Sequence, residues 1–186
     1  MKMNSVDVMN RAYCAGNARI EVDELADVLA IRSSRGSSEK TVTVAMLGLD
    51  EIAARVDWKA FEKAGWVFVS PTAELWQALN SGTPIPEDGT VHRVYLRAGR
   101  LLLGTDRLTI RFLDELVDDE VREALDGAGL DVVRQMKFAP NLFEVKSREG
   151  VDPLDLSVRL SSHDNIVYAE PQFLEQISSR AVSQMR

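Results

Sequence analysis

From Leu108 to Ala169 the chain switches between strand-like and helix-like periodicity in a fixed order. Leu108-Thr109-Ile110-Arg111-Phe112 alternates apolar and polar, as a strand with one buried face does. Val117, Val121, Ala124 and Leu125 fall at i, i+4, i+7 and i+8, an apolar helical stripe that Gly127 or Gly129 can stop. Residues 131–138 predict a less regular strand, Ala139-Pro140-Asn141 a turn, and 142–146 a third strand. Asp152 before Pro153 predicts a capped helix running to about Ser161. Residues 166–169 predict the last strand, and Pro171 is expected to end it because proline has no ladder donor.

The order β-α-β-β-α-β is the ferredoxin-like, split β-α-β arrangement. The expected fold class is therefore α/β (α+β), an antiparallel sheet with helices on one face. Leu108, Ile110, Phe112, Val121, Leu125, Val145 and Val167 are the expected core.

The first half echoes the second. Residues 28–33 align with residues 107–112 at an offset of 79, and Ala15-Gly16 and Ala98-Gly99 lead into the two segments. Residues 66–70 match 142–147, Thr72 to Leu79 predicts a helix, and Val94-Tyr95 matches Val167-Tyr168. Leu49, Ile52, Ala53, Val56, Ala60, Phe61 and Ala64 predict a helix stopped by Gly65. The same elements in the same order point to a duplication. The expected organisation is a degenerate first module, 1–97, a ferredoxin-like module, 98–173, and a C-terminal tail, 174–186. The junction, residues 91–104, reads as a hairpin turning at Ala98-Gly99, too apolar for a flexible linker.

Composition narrows the chemistry. Acids outnumber bases 29 to 22 over 186 residues, a net charge of −7, which argues against a nucleic-acid partner. One cysteine, Cys14, excludes an internal disulfide and zinc sites built on several thiolates. The two histidines fall in a strand-like run (His92) and a polar turn (His163), and both are expected to be surface or turn residues. No serine sits in a G-x-S-x-G elbow, and no phosphate loop, H-E-x-x-H or EF-hand spacing occurs. No catalytic residue, cofactor or metal is therefore expected. No run approaches the roughly 20 apolar residues of a membrane span, so no membrane partner is expected. The first residues lack the apolar stretch of a secretory signal, which predicts a cytoplasmic protein as written, or an extracellular one if a leader was removed.

Several motifs taken together resemble the N-terminal prodomains of subtilisin-like serine proteases, the fervidolysin-like type above all. They are Ile110-Arg111-Phe112 followed by an acidic helix; Gly129-Leu130-Asp131-Val132-Val133; Pro140-Asn141-Leu142-Phe143-Glu144-Val145; Asp152-Pro153-Leu154; and the closing Ile166-Val167-Tyr168-Ala169-Glu170-Pro171-Gln172-Phe173. The resemblance covers residues 98–173. It implies a protein that binds a subtilisin-like catalytic domain, in cis or in trans, assists its folding and inhibits it. The sheet would pack on the protease, and the tail would enter the cleft like a substrate. It implies no catalysis by this chain, which lacks the Asp-Thr-Gly, His-Gly-Thr and Gly-Thr-Ser motifs of the catalytic domain. Thr109, Arg111, Glu144 and Lys146, on the polar side of their strands, would contact the protease. Phe173, Leu174, Ile177 and Ser178 would belong to the substrate-like stretch. The acidic second half, fifteen acids against nine bases from Leu108 on, would suit a basic patch or helix N-terminus on the protease. The alternative is a stand-alone regulatory or adaptor protein binding another protein or peptide.

Overall fold

Each half of the chain opens on a hairpin with one long arm. The structure, a computed structural model, describes residues 8–16, 18–32, 58–81, 91–148 and 151–175. Strand β1 (Val8–Ala15) pairs with β2 (Ala18–Arg32) from Ala15↔Ala18 to Val8↔Leu25. Helix α1 (Trp58–Lys63) ends at Gly65, whose φ of 86° an L side chain rarely adopts, and β3 (Trp66–Val69) follows. Helix α2 (Ala73–Ser81) starts where Thr72 Oγ1 accepts from Leu75 N at 3.2 Å. The second hairpin is β4 (Val91–Arg97) and β5 (Arg100–Phe112), joined through Ala98 and Gly99 with φ of 49° and 76°. Positive φ at both central residues matches the twist of the flanking strands. Helix α3 (Asp118–Gly127), β6 (Leu130–Gln135), β7 (Leu142–Ser147), α4 (Pro153–Leu160) and β8 (Ile166–Glu175) complete the described chain.

The result is a mixed α/β structure built on one antiparallel eight-stranded sheet. Its path is β1-β2-β4-β5-β7-β6, with β3 also on β2 and β8 also on β5. The long β5 serves two neighbours in turn: Arg100–Leu103 pairs with β4, and Arg107–Arg111 with β7. On its other side runs β8. No described helix is long and apolar enough to cross a membrane.

Alternation along β5 separates two faces. Leu101 and Leu103 join Leu25, Val28, Ala30 and Val94 beneath Trp58 and Phe61 of α1. Leu102 points the other way, to Tyr13, Val22, Tyr95 and Leu154 of α4. Leu108, Ile110 and Phe112 pack with Val121 and Leu125 of α3 and with Leu156 and Leu160 of α4. Helix α4 therefore roofs both of the last two clusters. In the second half both helices lie on one face, as expected. In the first half they do not: α1 covers the Val94 side of β4, whereas Trp76 of α2 lies 4.9 Å from the guanidinium of Arg93, on the opposite side.

Four expectations need correction. Pro171 does not end the last strand, which continues to Glu175. Pro171 pairs opposite Leu108 on a strand whose only ladder partner among the described residues is β5, so its missing donor breaks nothing. Val167 is not core but 46 % exposed. Arg111 pairs with Tyr168 and Phe112 with Ile166, so Val167 is the extra residue of a bulge, and Ile166 turns inward instead. Strand β6 stops at Gln135, short of Phe138. Finally, Val28 and Ala30 face the first-half core while Leu108 and Ile110 face the second. The expected offset of 79 instead sets Leu29 and Ile31 against Leu108 and Ile110. Of the helix expected over residues 49–64, only α1 lies within the described residues.

Candidate functional site: the helix-free face of the second half

On the face of the second half opposite α3 and α4, the strands present a polar surface. Thr109 and Arg111 of β5 share it with Glu144 and Lys146 of β7, because Thr109 pairs with Glu144 and Arg107 with Lys146. The four residues expected to touch a partner are thus brought onto one face. β6 adds Arg134, opposite Glu144, and β8 adds Glu170 and Tyr168, opposite Thr109 and Arg111.

Hydrogen bonds and ion pairs cross-link this face. Glu144, expected to face solvent, is buried, because two arginines close over it. Arg107 Nη1 donates to Oε1, and Arg134 Nη2 donates to Oε2 at 2.9 Å, so the carboxylate ties β5, β7 and β6 together. The hydrogen bond from Arg107 holds the Glu144 carboxyl below the usual carboxylate range, and the same bond raises Arg107. Thr109 Oγ1 accepts from Gln172 Nε2 at 3.1 Å, and Thr105 Oγ1 donates to the Gln172 carbonyl at 2.8 Å. Arg111 Nη2 donates to both carboxylate oxygens of Asp114, at 3.1 and 3.3 Å. Lys146 is exposed. Such a surface can dock a partner.

The substrate-like residues divide. Phe173 and Leu174 lie inside β8, opposite Gly104 and Leu103, rather than in a tail. The Phe173 ring sits 5.5 Å from Tyr95 and 5.7 Å from Tyr13, which makes it part of the packing between the halves. Ile177 and Ser178 lie outside the described residues.

Of the histidines, His163 is exposed in a turn, as expected. His92 is half-buried in β4: its Nδ1 lies 2.6 Å from the Gly104 carbonyl, and its ring stands edge-on to Trp66 at 5.0 Å. Burial pushes its pKa down. A cleft of about 740 Å³ opens here, where β5 passes from β4 to β7, with His92, Gly104, Arg107, Lys146 and Asp152 in its wall.

Sequence reasoning missed Arg107 and Arg134. Arg107 shares the parity of Thr109 and Arg111 but precedes the strand start that was expected. Arg134 reaches this face only because Val133 is bulged between the pairs Val132↔Val145 and Arg134↔Glu144. Comparison of the chain with protein-family models, with curated proteins and with solved structures finds no match.

Proposed function

We propose that this chain acts by binding, as a prodomain-like partner of a subtilisin-like serine protease that it helps to fold and inhibits. The observation that carries the proposal is the convergence of Thr109, Arg111, Glu144 and Lys146 on one helix-free sheet face. A flat face already cross-braced by Glu144 loses little side-chain entropy on docking. The reading also draws on strand order. The second half runs β8-β5-β7-β6, antiparallel throughout, with α3 and α4 on one side, which supports reading it as a ferredoxin-like unit.

A degenerate duplication belongs to the same proposal. Ala30↔Phe68 in the first half has its counterpart in Ile110↔Phe143 in the second, and β2 pairs with β3 and β4 as β5 does with β7 and β8. The opposed faces of α1 and α2 mark where the first copy has diverged. The role assigned to residues after Glu175, Ile177 and Ser178 among them, rests on the resemblance.

The test uses the full chain against a panel of purified subtilisin-like catalytic domains. Inhibition of at least one member, together with a higher yield when that member refolds in the chain's presence, is expected. The variant Lys146→Ser, at the exposed member of the four, should weaken the inhibition with little change in melting temperature. Absence of both effects across the panel sinks the proposal.

A further inference from the structure

The loop end of the second half exposes apolar side chains that the fold does not need outside. Phe138 is 83 % exposed, Val117 61 % and Leu113 38 %. They stand on two loops, 113–117 and 136–141, which Asn141 ties together. Its backbone carbonyl accepts from Phe112 N at 2.9 Å. Its Nδ2 donates to the carbonyls of Leu113 at 2.6 Å and Leu116 at 3.3 Å, and the residue itself is buried. Asn141 thereby fixes the backbone at Leu113 and Leu116 against the loop that carries Phe138.

Val117 is also the N-cap of α3, the position where Ser, Thr, Asp or Asn would accept a free helix N–H. Its side chain can accept nothing. The return half of the motif is present, since Val117 N donates to Glu120 Oε2 at 3.0 Å. The sequence gives up a cap exactly where it shows an aliphatic group, and shows a phenyl ring on the loop alongside. Two choices against stability and solubility in one place mark a contact surface.

Charge selects the partner. Asp114, Glu115, Asp118 and Asp119 are all exposed beside Leu113 and Val117; Arg111 pairs with Asp114 and Arg122 with Asp119, which leaves Glu115 and Asp118 without an ion pair among the described residues. A second copy would bring acidic rim against acidic rim in a chain of net charge −7. We propose that this loop end docks a protein surface presenting an apolar slot rimmed by lysine or arginine. The site is separate from the helix-free face and does not rest on the protease reading.

An amphipathic helical peptide of leucine and lysine serves as probe, titrated into the isotope-labelled full chain, with a leucine–glutamate peptide as control. Amide shifts confined to 113–120 and 136–141 are expected with the lysine peptide, weakening as salt is raised. The double variant Val117→Ser with Phe138→Ser should bind at least tenfold more weakly. Val117→Ser alone should raise the melting temperature by supplying a neutral cap, and a double variant that melts no lower than the parent shows that the loss of binding is not unfolding. Shifts elsewhere, equal binding of the glutamate peptide, or unchanged affinity in the double variant would overturn the proposal. So would a concentration-dependent dimer that Phe138→Ser abolishes, which would make a second copy the occupant.

Discussion

Arg11 and Asp152 lie 141 positions apart in sequence, and Arg11 Nη1 donates to Asp152 Oδ2 at 2.9 Å. Asp152 Oδ1 meanwhile accepts from Leu154 N at 3.0 Å, capping α4. The same carboxylate faces Arg93 Nε at 3.2 Å, and Tyr95 donates its hydroxyl at 3.4 Å. Glu24, 1 % exposed, takes Arg11 Nη1 at 2.5 Å and Arg93 Nη1 at 2.8 Å. One helix cap of the second half is thereby anchored to β1, β2 and β4 of the first.

Glu24→Gln weakens the hydrogen bonds of two arginines that then share Asp152, with Arg11 keeping Asp155 as well. It is expected to lower unfolding stability by about 1.5–3 kcal/mol. Asp155, which also meets Arg11, is 66 % exposed on its side chain, so Asp155→Ala should cost under about 1 kcal/mol. Urea unfolding of the two variants checks the contrast. Equal losses would show that burial does not govern this cluster.

His92 predicts a pH dependence. Its folded pKa lies below the ordinary 6.5 because burial disfavours the imidazolium, outweighing the pull of the Gly104 carbonyl and Asp106. The unfolded state then binds the proton better. The contribution of His92 is complete above pH 6.5 and declines as pH falls from there toward the folded pKa. His92→Asn keeps a donor for the Gly104 carbonyl but does not titrate. Urea midpoints between pH 7.5 and 5.5 should fall more for the parent chain than for this variant; parallel profiles would refute the assignment.

Legibility followed locality. The periodicity of Leu108–Phe112, the stripe Val121–Leu125 and the Asp152-Pro153 start all depend on neighbours in sequence, and each forms the expected element. Val167 was misplaced because a bulge is a property of two paired strands, invisible in one. Glu144 read as a surface residue because its burial comes from Arg107 and Arg134 on other strands. Nothing within β1 marks Arg11 as the partner of an aspartate in α4. The helix-free face was legible because parity alone places Thr109, Arg111, Glu144 and Lys146.

Gly104 sits where β5 leaves β4. A Cβ there would lie 2.9 Å from Tyr95 Cε2. That ring is 1 % exposed and packed edge-on against Phe173, so it has no room to yield. Gly104→Ala should cost about 1–3 kcal/mol as an overpacked site. Thermal unfolding checks it; a neutral result would mean the Tyr95 ring can move.

The continuation of β8 past Pro171 changes how the C-terminal segment must be tested. Deleting residues 172–186 removes more than a tail. It takes away the Phe173 ring between Tyr13 and Tyr95, the Gln172 bonds to Thr109 and Thr105, and Glu175 with its bridges to Arg97 and Arg100. Deleting residues 176–186 leaves all of these in place. Phe173 is only half-buried, so its loss should cost about 2 kcal/mol, below the range of about 3–5 kcal/mol for a fully buried large aromatic. For a chain of this size that corresponds to roughly 4–8 °C in melting temperature. The longer deletion is therefore expected to melt lower than the shorter by about that amount. Equal melting temperatures would show that residues 172–175 contribute nothing to the sheet. Inhibition separates the remaining roles: if it falls in the shorter deletion, which keeps β8 whole, the loss belongs to residues 176–186. If it falls only in the longer one, β8 itself is the element that positions the docking face.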